Sequence, residues 1–129
     1  MLIKFLAATL AALSVSGALA QSPATRPLQI VVPFAPGGFV DAVGRMLSDG
    51  MSKSLGQPVV VVNQAGANGT VAANNVSRAS ADGHTVLLAS VSILAISPHL
   101  YKTITYDPLV DFVPIGQIVT TTNTIVVNP

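Results

Sequence analysis

The segment from residue 28 to residue 41 constrains the fold most, because an apolar run leads through a glycine-rich turn into a helical pattern. Leu28–Val32 is almost entirely Leu, Ile and Val, and Pro-Phe-Ala-Pro-Gly-Gly follows it. Strands buried on both faces have such apolar runs. We expect Gly37 and Gly38 to take positive φ, and the first amides of the next helix have no acceptor within it. This pattern predicts a strand, turn and helix whose turn binds an anion without a cationic side chain.

The next segments predict a parallel pair of strands. Gly56 provides a stop for the helix, and Val59–Val62 is a second apolar run. A helix between two strands makes a right-handed crossover, so the strands should be parallel neighbours. The apolar residues at helical spacing are Val40, Val43, Leu47 and Met51.

A second unit repeats this order. Residues 64–69 form a Gly-rich turn, residues 70–79 a short helix, and residues 85–89 a third strand. We expect a short helix over residues 93–96 that Pro98 ends, an irregular connection over residues 101–114, and two β-rich segments over residues 112–119 and 124–128. The order predicts an α/β fold with a mostly parallel sheet.

The first twenty residues indicate export. Lys4 precedes a short apolar run, and Ala18-Leu19-Ala20 provides a cleavage pattern before Gln21. We interpret residues 1–20 as a signal peptide, with an uncleaved membrane anchor as the alternative. Without Lys4, five basic residues balance five acidic ones, so no basic field exists for nucleic acid. The chain has no Cys, which excludes disulfides and thiolate chemistry.

Three loops are expected at one edge of the sheet, where open α/β sheets bind ligands. They are residues 34–39, 64–69 and 90–93, and they offer amides and hydroxyls but no cation. Such groups suit binding better than bond-breaking. No nucleophile elbow, metal-binding motif or dinucleotide fingerprint occurs, so we expect no catalytic residue, no metal and no cofactor.

Six motifs in order carry a resemblance to a known family: Pro33–Gly38 with Asp41, Gly56–Val61 with Asn63, Gly66-Ala67 with Gly69, Asp82–Thr85, Pro98–Tyr101, and Tyr106–Pro108 with Asp111-Phe112 and Pro114-Ile115. The series resembles the Bug, or TctC-like, extracytoplasmic solute-binding receptors of tripartite tricarboxylate transporters. The match runs from about residue 26 to the end. Phe39-Val40 departs from it, since the family usually has a polar pair there.

The resemblance implies a periplasmic receptor of two α/β lobes that captures a small carboxylate for membrane transporter subunits. We expect a monomer, divided into a signal peptide (1–20), a partial first lobe (21–112) and crossover strands (113–129) toward a second lobe missing from a truncated chain. Phe39-Val40 predicts a preference for apolar or aromatic acids. The candidate ligand-binding residues are Phe34, Ala35, Pro36, Gly37, Gly38, Asp41, Asn63, Gly66, Gly69, Ser90, Val91 and Ser92.

Other interpretations stay open at this stage. Asp41 is also suited to an N-terminal-turn charge or cap, and Asn63 to bracing neighbouring loops. Gly66 and Gly69 fit a plain turn, and Ser90 and Ser92 fit local hydrogen bonding. A non-functional truncated remnant and an exported α/β enzyme fragment are the alternative functions.

Overall fold

A computed structural model describes residues 26–122 and 124–127, and the predicted signal peptide lies outside them. The strands are β1 (Leu28–Val32), β2 (Val59–Asn63) and β3 (Thr85–Leu87), and the α-helices are α1 (Phe39–Leu55), α2 (Thr70–Ser77) and α3 (Ser97–Leu100). A short 3-10 turn, Ala67–Gly69, precedes α2, and a π-helical turn, Ser92–Ile96, precedes α3. No helix within this part of the chain has both the length and the apolar character needed to cross a bilayer.

The three strands form one parallel sheet in the order β2-β1-β3, which confirms the predicted α/β class. Leu28 aligns with Val59, and Gln29 aligns with Thr85. The central strand is therefore hydrogen-bonded on both sides. Because the strands are parallel, all three carboxyl ends lie at one edge of the sheet.

Helix α1 covers one face of the sheet. Its predicted apolar residues, from Val40 to Met51, pack against a buried cluster formed by Leu28, Ile30, Val32, Val59 and Leu88. Two serines attach the helix to β2: the Ser48 hydroxyl donates to the Val59 carbonyl at 2.6 Å, and the Val59 amide donates to the Ser52 hydroxyl at 2.9 Å. The helix ends as predicted, with Gly56 in the left-handed conformation at φ 65°.

A second buried cluster holds the irregular connection in place. It contains Ala73, Ile93 and Tyr106, with Phe112 packed against it. The Tyr106 hydroxyl donates to the Ile93 carbonyl at 2.7 Å, and its ring meets the Phe112 ring edge to face at 5.7 Å between centroids. Burial raises the pKa of Tyr106. Tyr106 therefore anchors the irregular connection to the π-helical turn that contains Ile93.

Several expected boundaries were wrong. Helix α2 ends at Ser77 and β3 at Leu87, each two residues before the predicted end. Pro98 does not end a helix: it lies in the first turn of α3, where a missing amide hydrogen costs nothing. No strand occurs in residues 112–122 or 124–127, so the predicted β-rich segments are not strands in the described chain.

Candidate functional site

The loops after β1, β2 and β3 meet at the carboxyl edge of the sheet, as the parallel order predicts. The Gln64 amide donates to the Val32 carbonyl at 2.8 Å and so holds the second loop to the end of the first strand. Gly69, in the second loop, lies directly against Ile93 and Pro33. The structure thus brings all three predicted loops together.

The first loop turns at Gly37 alone. Gly37 has φ 87°, as expected, whereas Gly38 has φ −83° and ψ 173°, so the expectation of positive φ at Gly38 was wrong. Gly38 is the N-cap of α1, and an N-cap residue normally has extended backbone angles. Of these two positions, only the φ angle of Gly37 therefore requires glycine.

The first amides of α1 are open. The Ala42 amide is the first to bond within the helix, donating to the Gly38 carbonyl at 3.0 Å. Within residues 26–122, the amides of Phe39 and Val40 have no hydrogen-bond acceptor, and no side chain caps the helix. These N–H groups carry the positive end of the helix dipole, so they suit an anionic oxygen.

Asp41, in the first turn of α1, is fully engaged by its neighbours. Its Oδ2 accepts from the Gly37 amide and from Arg45 Nε, each at 2.9 Å, and its Oδ1 accepts from Asn63 Nδ2 at 2.9 Å. Its side chain is only 5% exposed, whereas the Arg45 side chain is 58% exposed. The hydrogen bond from Arg45, then those from Gly37 and Asn63, lower the pKa of Asp41 from 3.8 to about 2.

Asn63 connects the end of β2 to the first loop. Its Nδ2 donates both to Asp41 Oδ1 and to the Phe34 carbonyl, the latter at 3.2 Å. Asp41 and Asn63 are candidate ligand residues, but their polar atoms already form hydrogen bonds to the first loop and to each other. Their direct contact with a ligand stays a prediction, and this geometry favours the alternative in which they brace it.

The second loop has a run of left-handed backbone. Gly66, Ala67, Asn68 and Gly69 all have positive φ, and those of Ala67 and Asn68 are 44° and 54°. The Thr70 hydroxyl donates to the Ala67 carbonyl at 2.9 Å and supports this turn. Residues other than glycine rarely take such angles, and they occur where surrounding contacts dictate the backbone.

The third loop presents Ser90, Val91 and Ser92. The Ser90 carbonyl accepts from the amides of Ile93 and Leu94, which starts the π-helical turn. The Ser90 hydroxyl is buried and has no hydrogen-bond partner in the described chain. Val91 is 67% exposed. The loop therefore combines an unused hydroxyl with an apolar surface residue.

Two grooves lie outside the three loops, one of about 480 Å³ between residues 94–99 and 106–109, the other of about 380 Å³ beside Arg45 and β2. No predicted site residue lines either groove. The described residues contain no group of three or more His, Cys, Asp or Glu side chains suited to a metal.

Arg45 was not predicted as a site residue from the sequence. Arg45 follows Asp41 by four positions on one helix, and this spacing places opposite charges side by side. The i, i+4 signal was therefore present in the sequence. The Asn63 contact with Asp41 had no local signal, since 22 positions separate the two residues.

Open α/β sheets bind their ligands beyond the carboxyl ends of the strands, which is where the amide-rich loops of this chain lie. The chain belongs to the tripartite tricarboxylate transporter family receptors (TctC), whose family model matches residues 43–129. The predicted family is thus confirmed. This is a family of receptors rather than of enzymes.

Individual relatives agree with this assignment. The chain is 43% identical over 105 residues to the protein BugT of Bordetella pertussis, covering 81% of this chain and 32% of BugT. It is similar to the periplasmic binding protein BugD (44% identity, TM-score 0.67, 71% of this chain and 30% of BugD). MatC from Rhodopseudomonas palustris with bound malate is also similar (40% identity, TM-score 0.66, 70% of this chain and 31% of MatC). The chain spans about a third of the length of the curated relatives it matches.

Proposed function

We propose that this chain provides the first lobe of a periplasmic solute-binding receptor, and that its three loops bind a small carboxylate. The observation that carries the proposal is the pair of open amides at Phe39 and Val40, where the first loop enters α1 at the carboxyl edge of the sheet. The malate in the similar MatC structure supports a carboxylate ligand. The twelve predicted site residues are proposed to form or support this site.

The charges around the open amides favour an anion that is bound without a cationic side chain. The loops themselves carry no charged residue. The negative charge of Asp41 is paired with Arg45, so the helix dipole remains available to the ligand. Hydrogen bonds to a charged group are worth about 1.5–3 kcal/mol each, so the two amides supply most of the polar recognition.

Exposed apolar side chains at the same edge favour a ligand that has an apolar part. Phe39 is 58% exposed, Val71 42% and Val91 67%, and each lies in or next to a different loop. A carboxylate with an apolar chain or ring would cover these surfaces, which gives the hydrophobic effect a share in binding. We therefore propose a preference for acids with an apolar body over malate.

The remaining features belong to the whole receptor. We propose that residues 1–20 direct export to the periplasm and that residues 113–129 lead toward a second lobe. Closure of two lobes about a hinge would then enclose the acid and signal its presence to membrane transporter subunits. We propose that the receptor works as a monomer, without cofactor or metal.

Phe39 allows the backbone contribution to be tested separately from the side chain. Phe39 is the first residue of α1, where proline is tolerated, and Gly38 before it is already extended. Phe39→Pro removes one open amide hydrogen, and Phe39→Ala removes the ring but keeps the amide. The exported chain, labelled with ¹⁵N, is titrated with malate, adipate and benzoate while the amide chemical shifts are followed.

We expect Phe39→Pro to bind all three acids at least about tenfold more weakly than Phe39→Ala, because a hydrogen bond to the carboxylate is lost. We expect Phe39→Ala to lose more affinity for adipate and benzoate than for malate. Equal binding by the proline and alanine variants, with native-like spectra for both, would contradict amide recognition. Absence of shifts at residues 37–40 in the unsubstituted chain would contradict the carboxylate site itself.

A further inference from the structure

Three hydrogen-bond donors converge on the Asp41 carboxylate from separate parts of the chain. Gly37 belongs to the loop after β1, Arg45 to the second turn of α1, and Asn63 to the last position of β2. The Asp41 carboxylate therefore connects the loop, the helix and the neighbouring strand. Breaking this connection should free the loop that leads into the open amides of α1.

Only an acceptor can occupy the Asp41 position without loss. Both carboxylate oxygens face N–H donors, with two donors on Oδ2 and one on Oδ1. An asparagine side chain would direct its NH₂ group toward at least one of these donors, because one of its two polar atoms is itself a donor. A buried donor left without an acceptor is costly, so the substitution cannot preserve the network.

We propose that Asp41 is a positioning residue that fixes the first loop for carboxylate binding, and that Arg45 is the counter-charge that prevents Asp41 from repelling the ligand. This inference rests on the proposed function. Asp41 is buried and its oxygens are occupied, so it acts through Gly37 rather than by touching the acid. Arg45 is mostly exposed, so its substitution should leave the fold intact.

Substitution of Asp41 separates this inference from a purely electrostatic one. Asp41→Asn removes a negative charge near an anion site, which on charge alone would strengthen acid binding. Loss of the three hydrogen bonds to Asp41, which together brace the first loop, predicts weaker acid binding instead. The matched control is Asp49→Asn, which removes an exposed carboxylate from the same helix. The two measurements are hydrogen exchange at the Gly37 amide and adipate affinity, both in the exported chain.

We expect Asp41→Asn to speed Gly37 exchange by at least about tenfold and to weaken adipate binding by at least about fivefold. Asp49→Asn should change neither quantity. Asp41→Asn that binds adipate as well as the unsubstituted chain would overturn the inference. If the unsubstituted chain binds no acid, the proposed function fails. Exchange at the Gly37 amide still tests whether Asp41 braces the loop: faster exchange in Asp41→Asn supports that role, and unchanged exchange overturns it.

Arg45 variants test the counter-charge. Arg45→Gln should weaken adipate binding several-fold at low ionic strength, and the loss should shrink at high salt, where screening reduces the repulsion by Asp41. Arg45→Lys should rescue most of the lost affinity because it restores the charge. A loss that is equal at both salt concentrations, or that lysine does not rescue, would overturn this role.

Discussion

Single residues determine how closely the three loops approach one another, and Gly69 is the tightest point. A Cβ placed on Gly69 would lie 2.6 Å from Ile93 Cδ1 and 3.0 Å from Pro33 Cβ. No real Cβ tolerates the shorter of these distances, so Ile93 or the loop would have to move. The glycine predicted as a ligand residue therefore has a packing reason for its identity, whatever else it contacts.

Gly69→Ala should destabilise the chain by about 2–4 kcal/mol, combining positive-φ strain with overpacking. Gly83→Ala is the matched control, because Gly83 has φ 78° but no atom within 4 Å of its virtual Cβ. It should cost only about 1–2 kcal/mol, from strain alone. Urea unfolding of both variants measures the difference. Equal decreases in the free energy of unfolding would show that Ile93 moves away from the added Cβ without destabilising the chain.

Residue-level prediction from the sequence succeeded only where the signal was local. The turn at Gly37 follows from Pro-Gly-Gly before a helix, whereas the Asp41–Arg45 pair was not predicted, although its i, i+4 spacing is a local signal. For Asn63, bracing of neighbouring loops was one of the predicted alternatives, but its partners were not predicted, because they lie across the sheet and depend on strand register. Long-range polar contacts follow from the assembled fold and leave no periodic pattern in the sequence.

At the scale of elements, the approach of α1 to the sheet depends on Gly44. A Cβ at this position would lie 2.8 Å from Val32 Cγ2, and Leu88 Cδ2 is 3.7 Å away. Gly44 is buried in the middle of the helix, where glycine is otherwise unfavourable. The close approach therefore explains why glycine occupies a helical position.

Gly44→Ala and Gly50→Ala form a matched pair within α1. Gly50 is exposed, with no atom near its virtual Cβ, so alanine there should stabilise the chain by about 0.5–1 kcal/mol through helix propensity. Gly44→Ala gains the same propensity but should destabilise overall by about 1–2 kcal/mol, because α1 must move away from Val32. Thermal or urea unfolding of the two variants should give opposite signs. Stabilisation by both would contradict tight packing at Gly44.

Element-level prediction was most accurate for α1 and least accurate after β3. The helix has four apolar residues at regular spacing and a glycine stop, and both signals appear in the structure. The prediction that Pro98 ends a helix was wrong because proline is also favoured in the first turn of a helix. The sequence alone does not distinguish these two positions. The apolar residues after 112 predicted strands, yet a strand also needs a partner, which propensity alone does not supply.

At the scale of the whole molecule, the described chain leaves apolar surface and sheet edges uncovered. Strands β2 and β3 each pair on one side only within the described residues. Val113, Ile115, Ile125 and Val126 are each more than 80% exposed. Edges and apolar segments of this kind are normally covered by other structure. The observation supports the proposed second lobe, toward which residues 113–129 would lead.

The pH dependence of stability should reveal the Asp41 network in the intact chain. The pKa of Asp41 in the folded state is about 2, below its ordinary 3.8, because Arg45, Gly37 and Asn63 donate hydrogen bonds to it. A lowered folded pKa contributes stability that is fully present above the unfolded value and is lost as the pH falls through the folded value. The loss due to Asp41 therefore falls between about pH 4 and pH 2.

Asp41→Asn has no titrating group at this position, so its free energy of unfolding should fall less steeply with decreasing pH across that window. Asp82 is present in both proteins, and its pKa is also lowered, chiefly by the His84 amide. It therefore contributes equally to the two curves and cancels in their difference. Urea unfolding at half-unit pH steps measures that difference. Parallel curves would mean that the Asp41 carboxylate gains nothing from its three donors on folding, and the brace would then lose its physical basis.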